Sequence, residues 1–87
     1  MQEDIRHLYK AISRIINKKR SELGIKYTDF CLGNDIPTST YDDIISAKRK
    51  SSFFNVAKVI KALGFSFEEF GALLDKELPD NFLKEND

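Results

Sequence analysis

Cysteine and histidine occur once each in these 87 residues, and that scarcity removes several kinds of protein at the outset. Cys31 has no second cysteine to bridge to, so an internal disulfide is excluded and a reducing cytosol is the expected compartment. With no His or Asp at useful spacing, its thiol reads as a small core residue rather than a nucleophile. His7 has no second histidine with which to hold a metal and reads as surface packing on the first helix. A glycine-rich phosphate loop and a paired acid–base cluster are both missing, so the chain is expected not to be an enzyme, with no cofactor and no small-molecule ligand. No signal peptide is recognisable, and no apolar run approaches the roughly 18 residues of a membrane span. Repeats, low-complexity tracts and long linkers are absent as well. Formal net charge is zero, which taken alone disfavours a nucleic-acid partner.

What is present suffices for one domain. A composition 41% hydrophobic and 32% charged supports one modest core, with seven Phe and three Tyr supplying large buried areas. The charge is also unevenly spread. Residues 1–50 carry 10 Lys/Arg against 7 Asp/Glu, whereas residues 51–87 carry 4 against 7. Such polarity is compatible with one face turned to phosphate and another turned to water.

The apolar spacing divides the chain into five helical segments, and no stretch alternates with period two for long enough to be a strand, so the class is all-α. From Glu3 to Leu23, Ile5, Leu8, Ile12, Ile15, Ile16 and Leu23 form a one-sided stripe. Lys18, Lys19 and Arg20 suit the negative end of its dipole, and Gly24 supplies a left-handed stop. A short helix from Tyr27 to Gly33 buries Phe30 and Cys31, and Gly33-Asn34-Asp35-Ile36 reads as a tight turn. Pro37 opens a third helix to Ser46, with Tyr41, Ile44 and Ile45 on the inner face. Ser52 caps a fourth, in which Phe53, Val56, Val59, Ile60 and Leu63 point inward and Gly64 closes it. Ser66-Phe67-Glu68-Glu69 is a capping box, with Phe65 and Phe70 as its hydrophobic staple; that fifth helix runs to about Leu78, before Pro79. The expected domain is residues 1–79, and residues 80–87 form a polar tail from which Phe82 and Leu83 could fold back.

Two short helices joined by a tight turn, second and third of five, outline a helix-turn-helix. Over about residues 9–74 the chain resembles the lambda-repressor-like, Cro/CI-type (XRE) helix-turn-helix domains. Phe30-Cys31 stands where that family has a Leu-Ala pair, Asp35 where it has a turn glycine, and Ile36 where it has an aliphatic residue. Thr38-Ser39-Thr40-Tyr41 corresponds to the start of the recognition helix, and KVIKALGFSFEEF to the end of the fourth helix and opening of the fifth. The chain departs from the family at Tyr27, where Gln is common, and at Ile45-Ser46-Ala47, where many members carry Glu-x-Gly.

The resemblance implies a compact five-helix domain that binds double-stranded DNA as a homodimer on a near-palindromic operator. Thr38, Ser39, Asp42, Asp43 and Ser46 would face the bases, where a carboxylate accepts from the cytosine amine and is repelled elsewhere. Lys26, Tyr27, Lys48, Arg49 and Lys50 would hold phosphates, with Arg20 a further candidate. Phe70, Leu73, Leu74 and Leu78 on the fifth helix, partly core, would supply the dimer interface. Each assignment has a plainer counterpart: helix-dipole stabilisation for the two acids, a solvated loop for Lys48-Arg49-Lys50, and core covering for Tyr27. Small stand-alone phage Cro-like repressors and restriction–modification controllers are the nearest functional types, with control through concentration and dimerisation. The alternative is a helix-turn-helix fold that holds a protein partner and no longer binds DNA.

Overall fold

The computed structural model describes residues 2–47 and 51–84, with side chains from Asp4 onward. All its regular elements are helical: α1 (Gln2–Leu23), α2 (Tyr27–Gly33), α3 (Thr38–Ser46), α4 (Phe53–Ala62) and α5 (Phe67–Glu77). Among the described residues there is no strand, and no helix is long and apolar enough to cross a membrane. α1 is the spine. It packs on α3 and α5, while α2 leans on α3, α3 on α4, and α4 on α5. Its first turns, including Ile5, Arg6 and His7, are exposed.

The middle of the stripe read from α1 is what buries, while Ile5 and Leu23 at its two ends are 40% and 46% exposed. Ile12, Ile15 and Ile16 meet Phe30 and Cys31 of α2, Tyr41 and Ile44 of α3, and Val56, Val59 and Ile60 of α4. Leu63, Phe65 and Phe70 close the far side, and the Phe65 and Phe70 rings stand edge to face at 5.8 Å. That contact is the expected staple. Beside it, Ser66 and Glu69 exchange both capping-box hydrogen bonds, at 2.9 and 3.1 Å. Hydrogen bonds from the Ser66 backbone and then its hydroxyl hold the Glu69 carboxyl below the usual range. Ser52 caps α4 by accepting from the Asn55 amide.

A further expectation about the core fails. Phe53, read as inward because it lies three residues before Val56, is 78% exposed. It occupies the first turn of α4, where the helical period still points it near the core but no other element lies over it.

The end of α2 carries the structural detail that matters most for α3. The Ile36 amide donates to the Cys31 carbonyl at 2.9 Å, and the Asp35 amide to that of Leu32 at 3.5 Å. This is the bonding of a Schellman motif, with Asp35 at φ 55° in the left-handed position that glycine usually takes. Of the four turn residues read from the sequence, only Asp35 adopts positive φ; Gly33 stays helical. Ile36, buried against Cys31, supplies the motif's apolar contact. Asn34 donates its side-chain amide to the Phe30 carbonyl, and Lys58 of α4 donates to the Asp35 carbonyl at 2.9 Å. α3 ends in the same conformation, with Ala47 at φ 56°.

A left-handed residue with a Cβ costs roughly 1–2 kcal/mol, less for Asp than for Ala. Part of any gain from glycine is lost to its freer unfolded chain. Ala47→Gly is therefore expected to stabilise by about 0.5–1 kcal/mol and raise Tm by roughly 2–8 °C in a domain of this size. Asp35→Gly should gain less. Thermal unfolding followed by circular dichroism checks both, and a lower Tm for Ala47→Gly would contradict the left-handed assignment.

Past α5, Leu78 leaves the helical region and Pro79 follows. The Phe82 amide then bonds the Pro79 carbonyl in a turn. Phe82 is half-buried there, while Leu83 stays exposed.

Candidate nucleic-acid interface

α3 holds its place through one aromatic residue. Tyr41 is 2% exposed, its ring tilted on Phe30 at 5.7 Å and stacked on Tyr27 at 6.2 Å. Arg20, near the end of α1, donates through Nε to the Tyr41 hydroxyl at 2.9 Å and through Nη1 to the Ile25 carbonyl at 2.7 Å. One guanidinium thus fixes α3 to α1 and to the loop that leads into α2. Burial keeps the Tyr41 hydroxyl protonated above its ordinary range, outweighing the opposing pull of Arg20. Burial likewise pushes the Cys31 thiol up, with the Asp42 carboxylate adding to it, which makes Cys31 a packing residue in chemistry as in position.

With Tyr41 and Ile44 clamped inward and Ser13 of α1 donating to the Ile45 carbonyl, the opposite side of α3 is open. Thr38, Ser39, Asp42 and Ser46 are exposed on it, and Asp43 is half-buried at its edge. Pro37 precedes the first turn, and no side chain caps it. No acid lies in that first turn. Asp42 and Asp43 sit beyond the reach of the N-terminal dipole, so that plainer account does not explain them.

The residues expected to hold phosphate divide. Lys26 is exposed immediately before α2, and Tyr27, at the start of α2, is half covered by its stack on Tyr41. Tyr27 therefore covers core edge and meets solvent as well. Arg20 is engaged within the chain and acts as a brace for α3. Lys48, Arg49 and Lys50 lie outside the described residues.

Two features escaped sequence reasoning. Arg6, Lys10 and Arg14, one helical turn apart on α1, line a cleft with Ser46 and Ala47 at the end of α3. Their i, i+4, i+8 spacing was a usable signal. Arg14 is partly committed, since it pairs with Glu77 of α5 at 2.7 Å on the surface. The second is the Arg20–Tyr41 link, which spans 21 residues and follows no period.

On α5, Phe70 is 6% exposed and packed on Phe65, and Leu74 packs against the core. Phe70 is taken up by the core, whereas Leu74 is only partly buried. Leu78 is half-buried, and Leu73 is the most exposed of the four.

A groove of about 720 Å³ lies between α1 and α5, lined by no residue of α3, and mixes Lys18, Lys19 and Lys76 with Glu22 and Glu77 over Phe65 and Leu73. Arg14 lines it too, so four cations face two acids, and the Arg14–Glu77 pair leaves three lysines against Glu22. Among the described residues no group of three His, Cys, Asp or Glu is placed to hold a metal. No protein-family model, no curated protein and no solved structure matches the chain.

Proposed function

We propose that the chain is a sequence-specific DNA-binding regulator of prokaryotic or phage type, a lambda-repressor-like helix-turn-helix domain that meets a near-palindromic site as a homodimer. The observation that carries this reading is the two-sidedness of α3. Its apolar side is locked by Tyr41, Ile44 and the Arg20 brace, while hydroxyls and a carboxylate are exposed along the other, the Ser46 hydroxyl donating to the Asp43 carbonyl. A helix that is to enter a groove needs that rigidity behind it and those groups in front.

The backbone adds support from a different direction. Asp35 and Ala47 occupy the two positions at which the resembled family carries glycine, and both have positive φ. The side chains depart from the family pattern, yet the conformation that makes glycine useful there is kept. In this reading α2 lies across the backbone with Lys26 and Tyr27 at phosphates. α3 presents Thr38, Ser39, Asp42, Asp43 and Ser46 to base edges, and Lys48, Arg49 and Lys50 follow as an anchor. Arg6 and Lys10, beside the end of α3, extend the basic side.

A competing reading has its own observation. Phe53, Phe54 and Phe67 are strongly exposed, as on a protein-docking module, and net charge is zero. Electrophoresis of random duplex with the chain at low salt separates the two. A DNA reader shifts the duplex there, and selection from a random pool then returns two half-sites about 34 Å apart, one helical turn. No shift at any low salt concentration overturns the proposal and favours the docking module.

A further inference from the structure

α4 turns aromatic rings to water. Phe53 and Phe54 are 78% and 73% exposed, and Phe67, which opens α5, is 53% exposed. At ~100° per residue, the buried Val56, Val59, Ile60 and Leu63 define the inner side of α4. Phe54, Ala57 and Lys61 then lie on the outer side, with Phe53 at its edge. The Lys61 ammonium stands 5.3 Å from the centroid of the Phe67 ring, which joins the outer side of α4 to the start of α5. The result is one strip with an aromatic end at Phe53 and Phe54, small Ala57 in the middle, and a cation over an aromatic ring at the far end.

A buried Phe covers roughly 150–250 Å², so three rings at these exposures offer on the order of 400 Å². That lies within the ~300–600 Å² of the largest apolar patch on a monomer, which is often functional, and is about half of the ~800 Å² that each member of a stable pair contributes. Rim residues of the two helices can supply the rest.

We propose that this strip is where two copies of the chain pair, α4 against α4 across a two-fold axis near Ala57. The chemistry of the strip selects a second copy. Its two ends complement each other: an exposed aromatic pair at one, an ammonium and a ring at the other. An antiparallel two-fold lays each end on its complement, so Phe54 of one copy meets Lys61 of the other. Ala57 lets the helix backbones approach at the crossing. Lys58, the other cation of this side, keeps its charge but is tied down by donating to the Asp35 carbonyl at 2.9 Å.

The pairing stands without DNA, but its use rests on the function proposed above. α3 packs on α4, so joining the strips fixes the two α3 helices relative to each other. It also places the interface on α4 rather than on α5, where Phe70 is buried and Leu74 partly so.

Sedimentation velocity of the full chain without DNA, across a dilution series, tests the pairing. The wild-type chain is expected at twice the chain mass, and Phe53→Ser/Phe54→Ser at the monomer mass with unchanged helical circular dichroism. Phe54→Lys alone, which would set like charges against Lys61 of the other copy, serves as the second variant if the double one does not fold. A monomer-mass boundary for the wild type at every concentration, or a dimer that survives a folded variant, overturns the pairing. The low-salt duplex shift is scored separately: a monomer that still shifts duplex overturns only the pairing, and a dimer that shifts none overturns only the DNA reading.

Discussion

Replacing Tyr41 by alanine is expected to cost about 3–5 kcal/mol, the range for deleting a buried aromatic side chain. For a domain whose whole stability is on the order of 5–15 kcal/mol, that brings the chain close to unfolding. Three contacts are lost together: the tilt on Phe30, the stack on Tyr27 and the Arg20 hydrogen bond. Tyr41→Phe separates them. It keeps both ring contacts and removes only the hydroxyl, for about 1 kcal/mol, because Arg20 is partly exposed and water replaces part of the lost bond. The hydroxyl has a further signature in pH. Its folded pKa is raised, so the protonated form contributes stability that is complete below the unfolded value and lost as pH rises past about 10. Urea unfolding at neutral pH and again above pH ~10 should show the wild-type chain weakening through this group and Tyr41→Phe lacking that component. A loss below about 1 kcal/mol for Tyr41→Ala would mean that α3 is held by something else.

Local signals in the sequence reached the fold and part of the site. All five helices follow from apolar spacing and caps, because a stripe of period 3.6 and a Ser at the N-cap report on their own turn. The capping box at Ser66, its staple and the left-handed stops at Gly24 and Gly64 are of this kind. What was not legible is what depends on distant segments. Periodicity assigns Phe53 to the core, but only the absence of a neighbour over the first turn of α4 exposes it. Four apolar residues on α5 look surplus until the core is assembled and takes Phe70 and part of Leu74. Tyr41 is readable as inward, whereas Arg20 meeting its hydroxyl is not, since helix-end cations are common for dipole reasons alone. The open face of α3 was legible because facing in or out is a property of one helix. Whether DNA meets that face is a property of two molecules.

Removing the charges of Lys48, Arg49 and Lys50 together is expected to reduce non-specific duplex affinity on the order of a hundredfold at ~0.1 M salt. Each phosphate contact contributes about −0.9 to the slope of log affinity against log salt, so three lost contacts flatten that slope by up to about 2.7. The three residues lie outside the described ones, but Ala47 and Ser51 bracket them, directly after the helix proposed to enter the groove. Net charge alone would also weaken binding, and a control of equal charge separates the two effects. Lys18, Lys19 and Lys76 line the α1–α5 groove, to which α3 contributes no residue, and replacing them with alanine removes the same three charges. Their loss should change the slope little, since counterions are released only where phosphate is met. Asp42→Asn should act in the opposite direction. It strengthens binding to random duplex by removing a repelled carboxylate, while weakening any preference for cytosine at one position. Equal slopes for the Lys48–Arg49–Lys50 variant and the wild type would remove the anchor. Equal slopes for the two triple variants would reduce the basic contribution to overall charge, and the orientation proposed for α3 on DNA would go with it.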